Sequence, residues 1–135
     1  PDKGKELATT LYSGGADVVF AVAGKTGLGV FEAAKEQNKY AIGVDSDQKY
    51  IDPEHIICSM KKDIGGSIYN AVSMYLDDGV FDGGQIWDAD MTTGFVGIGY
   101  GDATMTQQVS DELKAEVDAL TQKIISGEIV VESTR

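Results

Sequence analysis

The sequence predicts an open, mainly parallel α/β sheet with helices on both faces. Three observations carry this. Short, nearly continuous apolar runs alternate with segments of helical period; the runs are rich in β-branched residues; and polar or glycine-rich residues follow wherever a run stops. At 135 residues, 42% of them hydrophobic and 24% charged, the chain can bury one real core, and collagen-like, disordered and coiled-coil readings are excluded.

The elements follow in order. Leu7, Ala8 and Leu11 lie at helical spacing between residues 4 and 13, and Gly14-Gly15 supply the left-handed stop. Residues 17–23, from Asp17 through Val18-Val19-Phe20 to Ala23, form an apolar run that predicts a strand covered on both faces. Gly24 to Gly29 are expected to make a flexible turn into a helix that starts at Val30. Strands are predicted over 40–44 and 55–59, a helix over about 63–78 closed by Gly79, and a strand over 95–100 with alternate glycines. Leu113, Val117, Leu120, Ile124 and Ile125 then mark the apolar stripe of a long helix stopped by Gly127, and Ile129-Val130-Val131 predict a last short strand.

Charge narrows the function. Eleven Lys and Arg against 22 Asp and Glu leave a net charge of -11, which disfavours phosphate-backbone binding, so no nucleic-acid partner is expected. Cys58 is the only cysteine and can form neither an internal disulfide nor a thiolate-rich metal site. No apolar run approaches the ~18 residues of a membrane span. The chain begins at Pro1 with no Met before it, which predicts excision from something longer.

In open parallel sheets, ligands sit outside the carboxyl ends of the strands. Those ends here carry Gly24 to Gly29, Asp45 to Gln48 and Ser59 to Lys62, which predicts one cleft edge built from Gly24, Asp45 and the 59–62 segment. Backbone amides, a carboxylate and an ammonium would meet there and suit a ligand with hydroxyls and ring nitrogens. The plainer alternative makes the glycines turn residues and Asp45 a cap; the ligand reading is preferred for Asp45 and, against its neighbour Lys61, for Lys62. Other signatures fail on spacing. A P-loop needs glycine five residues before its Gly-Lys, where Val19 stands. The glycines of 24–29 fall at relative positions one, four and six, which leaves only a weak dinucleotide fingerprint. A calcium loop starting at Asp45 would place Lys49 at its fifth position and Tyr50 at the glycine position. His55 is the only histidine, so no His-based triad can form, and it reads as structural, as Cys58 reads as a small apolar residue. Trp87 and Tyr100 could stack on a ligand, although packing is the commoner use. Asp111, Glu112 and Glu116 read as a solvated helix face.

Five blocks carry a family likeness: Gly4 to Ala8, Gly15 to Phe20, Ala23 to Val30, Ile42 to Gln48 and Ser59 to Lys62. In that order they resemble the second half of the BMP family (basic membrane protein, PnrA-like), substrate-binding lipoproteins of ABC importers. The resemblance is specific over residues 1–84 and looser beyond. It implies a type I periplasmic-binding-protein fold of which 1–84 form the ligand-binding lobe, the second of two, and 85–135 the remainder of the lobe with its return segment and C-terminal helix. A missing first lobe, a transporter permease as partner, and an extracytoplasmic, lipid-anchored full-length protein are implied with it. The ligand would be a purine nucleoside or related small molecule, held by Gly24, Thr26 and Gly27 of the turn, by Asp45 on ribose hydroxyls and by Lys62; no cofactor, metal or catalytic residue is expected. Lys25 departs from the small residue common there. An aromatic that stacks on the base would precede Pro1. The fragment is expected to leave apolar surface uncovered and to self-associate. Two other functions stay open at this point, a Rossmann-type nucleotide-dependent enzyme and the ligand sensor of a regulator.

Overall fold

The computed structural model describes residues 1–79 and 83–132, so the expected loop around 80–84 lies partly outside the described residues. Its elements are α1 (Asp2–Ser13), β1 (Val18–Phe20), α2 (Gly27–Gln37), β2 (Tyr40–Asp45), β3 (Ile56–Lys62), α3 (Ile64–Asp78), β4 (Val96–Gly99) and α4 (Asp111–Ile125). The sheet runs β1-β2-β3-β4. β1 pairs parallel with β2 (Phe20 opposite Ile42), and β2 parallel with β3 (Asp45 opposite Lys61), with a register irregularity between Ala41 and Ile42. Strand-helix alternation thus yields the mixed α/β fold read from the sequence. The chain divides into two compact units, 1–61 with 98–110, and 62–97 with 111–135.

The first unit holds the buried core: Ala8 and Tyr12 of α1, Val30, Phe31, Ala33 and Ala34 of α2, and Ala21, Ala41 and Ile56 from the strands and their ends. Small residues let the two helices approach closely. A methyl group on Gly29 would run into the carbonyl oxygen of Pro1 and the amide nitrogen of Lys5, and one on Gly4 would run into the carbonyl of Thr26. The expected turn over 24–29 is therefore corrected: Gly24–Thr26 form one 3-10 turn, and α2 starts at Gly27, with Gly29 lying at the crossing with α1. Tyr12 donates its hydroxyl to the Tyr40 carbonyl at 2.7 Å. Burial pushes that hydroxyl's pKa up to about 12.

β1 is shorter than 17–23 and is not covered on both faces. Val19 packs against the core while Val18, Phe20 and Val22 stay exposed. Its ladder ends with the Ala21 amide on the Ile42 carbonyl; Val22 and Ala23 then bond back to Phe20 and Ala21, two residues behind each, and turn the chain out of the sheet. At the end of α1 it is Gly15, not Gly14, that takes the positive φ, at 102°.

In the second unit, Asp63 caps α3 by accepting from the Gly66 amide at 2.8 Å, and Gly79 closes the helix with φ 68°. Gly127 follows α4 with φ 77°. The predicted strand over Ile129–Val131 is not formed. The Ile129 amide donates instead to the Lys123 carbonyl at 3.0 Å, so it satisfies the helix end and is not available to a ladder.

Candidate functional site

Because β1, β2 and β3 run parallel, their carboxyl ends share one edge of the sheet. In the first unit this edge brings together the Gly24–Thr26 turn, which follows β1, and Asp45, the last residue of β2. Gly24 and Lys25 are exposed, Thr26 is half-buried and Gly27 is buried against Ala21. Asp45 is exposed and sits at φ 72°, a left-handed backbone that Asp and Asn tolerate better than most residues and that still costs on the order of 1 kcal/mol.

The residues after Asp45 do a different job. The Gln48 side-chain oxygen accepts from the Val44 amide at 2.8 Å, and the Gln48 amide donates to Ser59 Oγ at 3.0 Å. Gly43 leaves room for this arrangement, since a Cβ there would lie 2.5 Å from Ser59 Oγ. One oxygen of Asp47 accepts from the Lys49 amide at 3.2 Å and the other from the Gly101 amide at 2.8 Å. Lys49 is fully buried, with Nζ donating to the Ile56 carbonyl at 2.7 Å and to Gln108 Oε1 at 2.5 Å. Within five residues, then, Asp47, Gln48 and Lys49 are bound into the protein and Asp45 is presented at the sheet edge. Lys49 has no periodic or motif signature; in the sequence it only disqualifies a calcium loop.

Lys62 ends β3 and belongs to the second unit. There it lines an open depression of about 680 Å³ with Asp63, Ser67, Trp87, Asp90 and Phe95, so two sequence candidates, Lys62 and Trp87, share one surface. Lys61 lies opposite Asp45 in the ladder, and neighbouring strand residues face opposite sides of a sheet, so Lys61 and Lys62 have different surroundings. Tyr100 is half-buried in the first unit. His55 faces Asp52 at 3.0 Å in a half-buried pair, and the Cys58 thiol is pushed up, chiefly by burial. Both match their structural readings. Among the described residues no group of three or more His, Cys, Asp or Glu could hold a metal ion, and no helix is long and apolar enough to cross a membrane.

The family described as ABC transporter substrate-binding protein PnrA-like (Bmp) matches residues 1–135. Basic membrane protein C of Borreliella burgdorferi (strain N40) is 42% identical over 133 residues, 96% of this chain and 36% of that protein. Basic membrane protein A of Borreliella afzelii is 36% identical over 132 residues, 96% of this chain and 39% of that protein. The chain thus spans well under half the length of these curated relatives. Among solved structures, an ABC transporter solute-binding protein from Aeropyrum pernix K1 superposes with a TM-score of 0.77 at 27% identity, over 98% of this chain and 45% of that one. A transcriptional activator of the comK gene from Bacillus halodurans shares the fold, with a TM-score of 0.79 at 23% identity over 97% of this chain and 44% of that one. The match over the whole length and the identity to these relatives show that the chain belongs to the Bmp family of PnrA-like ABC transporter substrate-binding proteins.

Proposed function

We propose that this chain is the ligand-binding lobe of a two-lobed solute receptor of an ABC importer, and that its ligand is a purine nucleoside or a close relative. The observation that carries the reading is Asp45: exposed, held in a left-handed backbone, and set at the carboxyl edge of the sheet by neighbours that are themselves tied down. Strained residues of this kind persist where the surrounding structure over-determines them, and they cluster at ligand clamps. An uncharged nucleoside must be held by stacking and by fully paired polar groups. The Asp45 carboxylate accepts from two ribose hydroxyls, a charge-assisted arrangement worth about 1.5–3 kcal/mol per bond once water is excluded. The Gly24, Thr26 and Gly27 turn approaches the ligand through its backbone, and Lys62 supplies a further polar contact.

Such a receptor binds and releases without chemistry. The first lobe completes the cleft and the transporter permease receives the ligand. The family likeness supports an extracytoplasmic place with a lipid anchor on the full-length protein. By the same reading residues 1–84 carry the recognition, and 85–135 complete the lobe and return toward the first. One lobe offers half a cleft, so the isolated chain binds nucleosides far more weakly than the receptor.

Calorimetric titration of the two-lobed receptor tests the reading. Asp45→Ala should weaken adenosine by about 2 kcal/mol, roughly 30-fold, and leave adenine, which lacks ribose, nearly unaffected. Lys62→Ala should also weaken adenosine, while Lys61→Ala should cost under about 0.5 kcal/mol. Wild-type adenosine affinity in Asp45→Ala, or equal losses for adenosine and adenine, would reject it.

A further inference from the structure

Lys49 is a charged side chain with none of its surface exposed. An ammonium taken out of water must find acceptors for its donors, or its burial costs several kcal/mol. Here Nζ donates to the carbonyls of Ile56 at 2.7 Å and Pro53 at 3.3 Å and to Gln108 Oε1 at 2.5 Å, three acceptors for three donors. These partners come from two stretches of chain. Pro53 and Ile56 belong to the approach to β3, and Gln108 to the 98–110 segment, which belongs with the first unit.

Further bonds close the same knot. The Gln108 side-chain nitrogen donates to the carbonyls of Pro53 at 2.7 Å and Glu54 at 2.8 Å, Thr106 donates its hydroxyl to Glu54, and the Gly101 amide donates to Asp47. From Lys49 the path to the candidate ligand contact is short. Its amide donates to Asp47, and its neighbour Gln48 accepts from Val44, the residue directly before Asp45. Hydrogen bonds of the Lys49 backbone and of its neighbour Gln48 thus reach Asp47 and Val44, on either side of the left-handed residue.

We propose that Lys49 is a positioning residue: its carbonyl-caged ammonium clamps the 46–56 loop and the 98–110 segment into one body, and so holds Asp45 where the ligand meets it. The functional consequence rests on Asp45 as a ligand contact. An apolar residue of similar length fills the same space but takes the ammonium from the Ile56 carbonyl and the Gln108 oxygen and leaves the Pro53 carbonyl only its bond from the Gln108 nitrogen, so the cage opens. Opening releases the Asp45 backbone, whose φ of 72° costs energy and persists because its surroundings hold it.

Amide hydrogen exchange on the 135-residue chain tests the clamp. Lys49→Met should accelerate exchange at Val44, Ser46 and Gly101 at least tenfold more than at the core amides of α1 and α2. Gln108→Leu, which removes one acceptor and keeps the ammonium, should give the same pattern at smaller amplitude and serves in place of Lys49→Met if that variant does not fold. Equal acceleration at all amides would make Lys49 a general stabiliser and overturn the proposal. A double-mutant cycle with adenosine in the two-lobed receptor tests the consequence. Lys49→Met should weaken binding at least tenfold, and adding it to Asp45→Ala should cost less than a further threefold. Additive losses, or wild-type affinity in a folded Lys49→Met receptor, would overturn it. Wild-type affinity in Asp45→Ala would reject the nucleoside site instead, and the exchange pattern would then decide the clamp by itself.

Discussion

The helix pairs of the two units differ in a way their composition hides. α1 and α2 bury Ala8, Tyr12, Val30, Phe31, Ala33 and Ala34, together with Gly4, Gly27 and Gly29. α3 carries Ile64, Ile68, Val72, Tyr75 and Leu76 and α4 carries Leu113 and Leu120, yet neither helix has a buried residue. Leu76 is 72% exposed and Ile68 60%. Apolar content is therefore not what makes a core in this chain. The first pair has small residues at its crossing, so backbones meet and a few aromatic and branched side chains are enclosed; in the second, large apolar side chains are only half-covered or stay exposed. Large apolar side chains left exposed along two helices mark a place where another body docks.

The largest effect that would sharpen this contrast is in the first pair. Phe31, 3% exposed, should cost about 3–5 kcal/mol of unfolding free energy when replaced by Ala, measured by urea denaturation. A loss below about 1 kcal/mol would mean that the α1 and α2 core is looser than its geometry. Tyr12→Phe should cost less, about 1 kcal/mol, for the bond to Tyr40. It should also change the pH dependence. The folded-state pKa of Tyr12 is raised from 10.0 to about 12, so the stability it contributes is fully present below about pH 10 and lost as pH rises toward 12. Wild type should therefore weaken through that window, and Tyr12→Phe should weaken less. The smallest effect is expected in the second pair. Ile68→Ser should change stability by no more than about 0.5 kcal/mol, because the side chain leaves water little on folding. The same substitution should reduce self-association of the chain in sedimentation runs at high concentration. A wild-type chain that stays monomeric there would break the inference that these faces need a partner.

Much of the fold was legible in the sequence because burial and periodicity speak locally. The β-branched run of β1, the stripe of α4 and the glycines after α1, α3 and α4 each announce an element without reference to the rest. What escaped depends on distant groups. Gly29 reads as a turn residue because nothing near it in sequence shows that Pro1 and Lys5 cross above it. Ile129–Val131 has strand composition, but the end of α4 claims its first amide. β1 shows one apolar face to solvent although its sequence reads as covered on both. At the candidate site, the place of Asp45 and the 24–27 turn at the carboxyl edge of the sheet was legible because polar residues follow the strands. The role of Lys49 was not, since its acceptor in Gln108 lies 59 positions along the chain.

Under the proposed function, Asp45 meets the ligand while Asp47, Gln48 and Lys49 of the same block hold the fold. The unfolding free energy of Asp45→Gly, measured in urea against wild type, tests that division most directly. Glycine adopts φ 72° without strain, which offsets the loss of the Asp45 side chain's own interactions, so stability should change by no more than about 1 kcal/mol. A loss of more than about 1 kcal/mol would contradict the account and make Asp45 a structural cap.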